Sequence, residues 1–251
     1  FVYDAISDTV SLASHIPGTP TTAADYHSSF YASTSTAIAP SISGDGKFVV
    51  FQSQATNLVG GNDSNGTYSD VFLYDVTTGA VNLVSHVPGA PTTSASGASY
   101  QPTLSHDGRL VAFVSSDSNS LVPDTEANGG ADVFLYDAET DTIRLVSHAA
   151  ESTNTGDGNS SAPSISADGK FVAFQSYATN LVTGSDNNST NYDAFLYDVQ
   201  ANTITLISHV PGASTTSGNG FSDSPVISAD GNFIAFRSAA SNLIGDMDNS
   251  N

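Results

Sequence analysis

An all-β fold built from four copies of one four-strand unit is what this sequence predicts, and three observations predict it. Four segments share a strand-turn-strand pattern centred on Asp45-Gly46, Asp107-Gly108, Asp168-Gly169 and Asp230-Gly231. The prolines that open these segments, Pro40, Pro102, Pro163 and Pro225, lie 62, 61 and 62 residues apart. The chain also opens on the second half of a unit and closes on the first half of one.

The unit reads most clearly from Pro163 to His209. Strand a, Ser164 to Ser166, runs into Ala167-Asp168-Gly169-Lys170, where Asp-Gly supplies the backbone freedom of a tight reversal. Strand b follows as Phe171 to Ser176, strand c as Ala194 to Val199 and strand d as Thr203 to His209. All are short, rich in β-branched and aromatic residues, and bounded by Asp, Asn, Gly and Ser. The same b strand carries Phe51, Phe113, Phe174 and Phe236. Strand c recurs as Phe72-Leu73-Tyr74-Asp75, as Phe134 to Asp137, as Phe195 to Asp198 and, at the start, as Phe1-Val2-Tyr3-Asp4. Strand d ends in Ser-His at His15, His86, His148 and His209.

Four a/b pairs and four c/d pairs, with one unit split across the termini, fit a ring that closes on itself. A β-propeller zips its circle by building one blade from both ends of the chain. The expectation is a four-bladed β-propeller of four-stranded antiparallel blades spanning 1–251 as one domain. Complete units occupy 40–86, 102–148 and 163–209, and the c/d strands of 1–15 pair with the a/b strands of 225–244. The alternative is that these units form part of a larger propeller or a tandem array, since residues 244–251 stop short of the Asp that leads into strand c elsewhere.

Composition narrows the partners. Twenty-five acidic residues face five basic ones, for a net charge of −20. Such a surface repels a duplex or an anionic membrane, because affinity for phosphate comes from Lys and Arg. Cysteine is absent, so no disulfide or thiolate metal site is available. No apolar run reaches membrane-spanning length. With Ser, Thr, Asn and Gly crowding the loops, the expectation is a bacterial-type extracellular, cell-surface or periplasmic protein without nucleic-acid partners or membrane insertion.

The pattern Pro-x-[Ile/Leu]-Ser-x-Asp-Gly-[Lys/Arg], then Phe-Val-Ala-Phe-x-Ser, then Asp-x-Phe-Leu-Tyr-Asp and a strand ending Leu-[Val/Ile]-Ser resembles the WD-like repeat of TolB-type β-propellers. The resemblance covers nearly the whole chain. It implies that strand a lines a central channel, strand d lies at the rim, and the b/c and d/a connections share one face. It says little about activity, because one fold hosts many functions. The chain departs from the TolB pattern in unit length, in blade count and in carrying no helical companion domain.

The b/c loops hold the strongest chemical signal. In the second, Asp124, Glu126, Asn128 and Asp132 stand at positions 1, 3, 5 and 9 around Asn128-Gly129, the alternating oxygen spacing and glycine bend of calcium loops. The first offers Asp63, Asn65 and Asp70, the third Asp186, Asn188 and Asp193, and the fourth begins with Asp246 and Asp248. Calcium is the ion such an all-oxygen set would take. The competing reading is turn chemistry, with Asp70, Asp132 and Asp193 capping the start of strand c.

Repetition of a histidine at the end of each d strand points to a structural contact made once per blade. The d/a loop from Ile16 to Ala39 breaks the symmetry instead: Asp25, Tyr26, His27, Phe30 and Tyr31 bring aromatic and titratable groups among small residues, and Tyr100 and Phe221 precede strand a in later copies. Asp25, Tyr26, His27, Tyr31, Tyr100 and Phe221 are therefore the expected ligand contacts, for a protein or glycan on the loop face. Adjacent Ser-His pairs point to opposite faces of a strand and form no catalytic dyad. Two functions from different classes follow: a secreted or surface structural and binding module, calcium-stabilised and able to assemble into fibres through its split unit, or an extracellular polysaccharide-active hydrolase working on the loop face.

Overall fold

The computed structural model describes residues 1–28, 39–61, 63–123, 128–188 and 191–245. Three complete antiparallel blades succeed one another, each ordered a-b-c-d as expected. The first comprises Ser41–Ile42, Phe48–Ser53, Asp70–Asp75 and Val81–Leu83. Ser99–Leu104, Leu110–Ser115, Asp132–Asp137 and Thr142–Leu145 make the second. The third is Ser160–Ile165, Phe171–Ser176, Asp193–Asp198 and Thr203–Leu206.

Each a/b turn shows why its sequence reads Ser-x-Asp-Gly. Ser43 Oγ donates to Asp45 Oδ1 at 2.8 Å, the same carboxylate accepts the Lys47 N–H at 3.0 Å, and Ser43 Oγ accepts the Phe48 N–H at 2.9 Å. Gly46 then turns the chain at φ 73°, a conformation that costs any residue with a Cβ. The turns also touch across blades: Gly44 N–H donates to His106 O, and His106 N–H to Ala167 O. Gly108 approaches the previous blade so closely that a Cβ would stand 2.3 Å from Phe48 Cδ2.

Strand a begins earlier than expected, at Ser99, Ser160 and Ser222, so Pro102, Pro163 and Pro225 lie inside it. The ladder is interrupted there by a bulge, between Tyr100 and Thr103 in the second blade. A bulge accommodates a residue that has no N–H to give. The residue before each of these prolines has positive φ, and its N–H is taken by a glutamine of the preceding blade. Gln101 N–H donates to Gln52 Oε1, and Ala162 N–H to Gln101 Oε1, both at 3.1 Å.

Strand d is shorter than expected, ending at Leu83, Leu145 and Leu206. His15, His86 and His209 start separate short hairpins, such as His86–Val87 with Ala90–Ser94. Pro-Gly at 17–18, 88–89 and 211–212 forms their turns, with the glycines at φ 75°, 76° and 78°.

The core consists of inter-blade layers. Phe51 stacks on Phe72, Phe113 on Phe134 and Phe174 on Phe195 at 5.7–5.8 Å. Each pair sits directly across the b/c ladder. Tyr74, Tyr136 and Tyr197 are buried, and each meets a d-end histidine of the preceding unit edge-on: His15 on Tyr74, His86 on Tyr136, His148 on Tyr197. These histidines are the structural contacts that their recurrence suggested.

The ends differ from the expected joint blade. Val2–Asp4 pairs with Thr9–Ser11, and Ser222–Ile227 with Ile234–Ser238, as two separate two-stranded sheets. Among the described residues no ladder joins 1–15 to 225–244. Among the described residues four a/b pairs and four c/d pairs are thus present as three four-stranded blades and two separate hairpins.

Candidate functional site

The expected shared face is real: each b/c loop lies against the d/a loop that follows it. In the first copy Asp63 Oδ1 accepts the N–H groups of Asn65 and Gly66 at 3.1 and 2.9 Å, and Ser94 Oγ donates to it at 3.3 Å. Asn65 Nδ2 lies amid four oxygens, Asp70 Oδ1 and Oδ2 at 3.3 and 3.4 Å, Ala95 O at 2.9 Å and Gly97 O at 3.2 Å. Asp70 is buried and accepts Ser85 Oγ at 2.9 Å. Burial, reinforced by the nearby Asp63 charge and opposed by the Ser85 and Asn65 hydrogen bonds, pushes its carboxyl up to about 8.

The third copy repeats the arrangement. Asp186 Oδ1 accepts Asn188 N–H and Ser217 Oγ, while Asn188 Nδ2 donates to Asp193 Oδ1, Gly218 O and Gly220 O. Burial pushes Asp193 up to about 6. In the second copy Asn128 Nδ2 reaches Gly156 O and Gly158 O at 2.8 and 3.2 Å, and Asp132 accepts Ser147 Oγ at 2.9 Å. Asp124 and Glu126 lie outside the described residues, as do Asp246 and Asp248.

The structure therefore brings together Asp63, Asn65 and Asp70, and likewise Asp186, Asn188 and Asp193. In both copies the asparagine amide links the b/c loop to the d/a loop. A buried carboxyl with a raised pKa beside a second carboxyl is also what a glycoside hydrolase would need. Here the pair recurs in the first and third complete blades beneath an asparagine side chain, as a repeated structural joint does.

The expected ligand contacts do not converge: Asp25, Tyr26 and His27 share the first d/a loop, Tyr100 lies in strand a of the second blade, and Phe221 just precedes Ser222–Ile227. Asp25 is occupied locally, its two oxygens accepting the Thr56 N–H at 2.9 Å and hydroxyl at 2.7 Å. Asp157 makes the same pair of bonds to Thr179. His27 O accepts Gln54 N–H, and Tyr26 is half exposed. Tyr100 packs against the core between the second and third blades. Phe221 lies under the Arg237 guanidinium at 5.7 Å. Tyr31 is outside the described residues.

Sequence reasoning missed one aromatic contact on this face, Tyr177 stacked on Tyr192 at 3.7 Å. Tyr177 follows strand b and Tyr192 precedes strand c, so the b/c register itself was the available signal. Four of the five cations pair within their own unit, Lys47 with Asp45, Arg109 with Asp137 and Glu139, Lys170 with Asp168 and Arg237 with Asp223, and Arg144 reaches Val199 O in the next blade. They form no basic patch.

No family model and no curated protein matches the sequence. Solved structures match it in fold. TolB from Acinetobacter baumannii is 17% identical over 82% of this chain and 41% of its own, with a TM-score of 0.44. A putative TolB from Agrobacterium tumefaciens is 17% identical over 80% of this chain and 59% of its own, with a TM-score of 0.45. The β-propeller domain of the Trilobed protease from Pyrococcus furiosus is 11% identical over 66% of this chain and 40% of its own, with a TM-score of 0.40. The chain thus spans about two-fifths and three-fifths of the two TolB chains. At these low identities, TolB-type and other β-propellers are what this chain is similar to in fold.

Proposed function

We propose that this protein is an exported structural and binding module whose open half-blades join it to further copies of the same chain. The observation that carries the reading is the complementarity of the two free edges. Among the described residues Ile234–Ser238 pairs with its a strand only, and Val2–Asp4 with its d strand only. The register of the complete blades sets Phe51 opposite Phe72 and Val50 opposite Leu73. Carried over to a neighbouring copy, the same register would set Phe236 opposite Phe1, Ala235 opposite Val2 and Ile234 opposite Tyr3. Exposure supports it: Phe1 is 87% and Tyr3 61% exposed, whereas Phe72 and Tyr74 are 2% and 4%. Unpaired edges flanked by exposed apolar side chains are templates for strand addition. Copies joined head to tail form an open series of blades, in the manner of any heterologous contact.

Export is supported by the acidic, cysteine-free composition and the Ser/Thr/Asn/Gly-rich loops. Calcium is the cofactor we assign to the first b/c loop. Its donors are all oxygens, the Asp63 and Asp70 charges oppose each other, and Asn65 Oδ1 is buried without a hydrogen-bond partner. Turning the Asn65 amide over would face Oδ1 toward Asp70, Ala95 O and Gly97 O and give a cation a ring of oxygens.

Sedimentation velocity over a wide concentration range tests the assembly. The expected result is a weight-average coefficient that climbs with concentration, and that stops climbing when Tyr3→Lys places a charge in the shared register. A coefficient fixed at the monomer value throughout would refute head-to-tail joining.

A further inference from the structure

One groove departs from the repeat. After His15, His86 and His209 the chain continues Ile/Val-Pro-Gly and folds into a hairpin that lies at the rim. After His148 it reads Ala149-Ala150-Glu151-Ser152, and a single bridge from His148 to Thr155 replaces the hairpin. Between the second and third blades this leaves an open groove of about 870 Å³, lined in part by His148, Glu151, Leu181, Asn202, Ile204 and Leu206. The corresponding space beside His86, where Pro88 and Gly89 intrude, is about 220 Å³.

His148 has an unanswered hydrogen-bonding position here. The side chain is 9% exposed, and its Nδ1 lies 3.0 Å from Ala149 O, so Nδ1 carries the proton and Nε2 is an acceptor in the neutral ring. In two of the other units Nε2 has an oxygen partner, Gly79 O for His15 and Asp141 Oδ1 for His86. His148 Nε2 is buried without a partner. Asn202, the residue in the place of Asp141, accepts the Tyr197 hydroxyl at 2.7 Å as Asp141 accepts that of Tyr136, but does not also meet the histidine as Asp141 does. Nε2 therefore awaits a donor from the groove.

The wall of the groove is a strand with a free edge. Thr203–Leu206 pairs with strand c only. The bond from Ile207 N–H to Ala194 O makes Phe195 and Leu206 a non-hydrogen-bonded pair, which turns the N–H and C=O of Leu206, and by alternation those of Ile204, outward. An occupant that satisfies these groups in series is an extended backbone. Glu151 also lines the groove and is exposed, on a chain of net charge −20.

We propose that this groove binds an extended, lysine- or arginine-bearing peptide segment of a partner protein. The segment adds a fifth strand beside Thr203–Leu206, gives an N–H donor to His148 Nε2 and sets its cation against Glu151. The groove shares no residue with the half-blade edges, so its failure and that of head-to-tail joining are separate results.

The test is a titration of the isotopically labelled full chain with acetyl-Val-Lys-Val-Lys-Val-amide, its Glu-for-Lys counterpart and cellotetraose. The expected result is saturable shifts at the Ile204 and Leu206 amides and the His148 imidazole. The lysine peptide should bind roughly tenfold more tightly than the glutamate peptide. Glu151→Lys, an exposed change that leaves the melting temperature in place, should reverse that order. Shifts absent or scattered elsewhere, equal affinities for both peptides, or occupation of these residues by cellotetraose alone would each overturn the proposal.

Discussion

Replacing Phe113 by Ala is expected to destabilise the fold by about 3 to 5 kcal/mol, while Phe236→Ala at the equivalent position should cost under about 1 kcal/mol in dilute protein. Phe113 is fully buried, stacks on Phe134 and belongs to the cluster that joins the first and second complete blades, with Val50, Leu73 and Tyr136. Nothing nearby can collapse into the space, because strands on both sides are pinned by their own ladders. Phe236 occupies the same place in strand b, but among the described residues that strand pairs on one side only, and Phe233 and Val226 beside it are 74% and 62% exposed. Urea midpoints at constant slope give both values. Equal losses at the two sites would mean that the half-blade is packed as tightly as the centre.

Stability should rise on acidification from pH 8 to pH 5, the reverse of ordinary acid sensitivity. Burial, assisted by Asp63 and Asp186, holds Asp70 up to about 8 and Asp193 up to about 6, against an ordinary 3.8. Below 3.8 both folded and unfolded chains carry these protons, so nothing is lost. Above it the unfolded chain ionises first, and stability falls until the pH passes the folded values. Asp137 and Asp223, held low mainly by Arg109 and Arg237, act in the opposite sense: their contribution is present above 3.8 and disappears below it. A maximum near pH 4 to 5 follows, with a drop on the order of 2 to 5 kcal/mol by pH 8, or roughly 5 to 15 °C in melting temperature.

Asp70→Asn keeps an acceptor for the Ser85 hydroxyl and removes the ionisation, so it should flatten most of that slope. Calcium, which favours the charged carboxylate, should flatten it as well and raise the melting temperature at pH 8, with chelator restoring the original profile. A slope unchanged in Asp70→Asn would contradict the buried-carboxyl account. Melting indifferent to both calcium and chelator would remove calcium from it.

Local chemistry was the legible part of the sequence. Asp-Gly turns, alternating b and c strands and the Phe51/Phe72 type of pair depend on neighbours within one unit, and all stand where the spacing placed them. Strand a was misplaced because its proline looks like a strand start, whereas the bulge before it is stabilised by Gln52 from another blade. Val-Pro-Gly-Ala reads as loop sequence, although its Pro-Gly closes a short hairpin. Closure between the termini depends on the rotation accumulated over every blade, which no local pattern encodes. At the loop face, spacing picked out Asp63 and Asp70 correctly as neighbours, but the linking role of Asn65 depends on Ala95 and Gly97, thirty residues and more further on. Loss of Pro-Gly after His148 was visible as a broken repeat. Its meaning required seeing which histidine nitrogen had no partner.

Strand register at the free edges tests the central claim most directly. The chain contains no cysteine, so Val2→Cys with Ala235→Cys introduces a single designed pair facing across the proposed b/c ladder. Under mild oxidation the account predicts a reducible ladder of covalent multimers, lost when the second cysteine is moved one residue to Ile234→Cys and its side chain turns to the other face. Monomer alone, or a bridge formed within one chain, would contradict it.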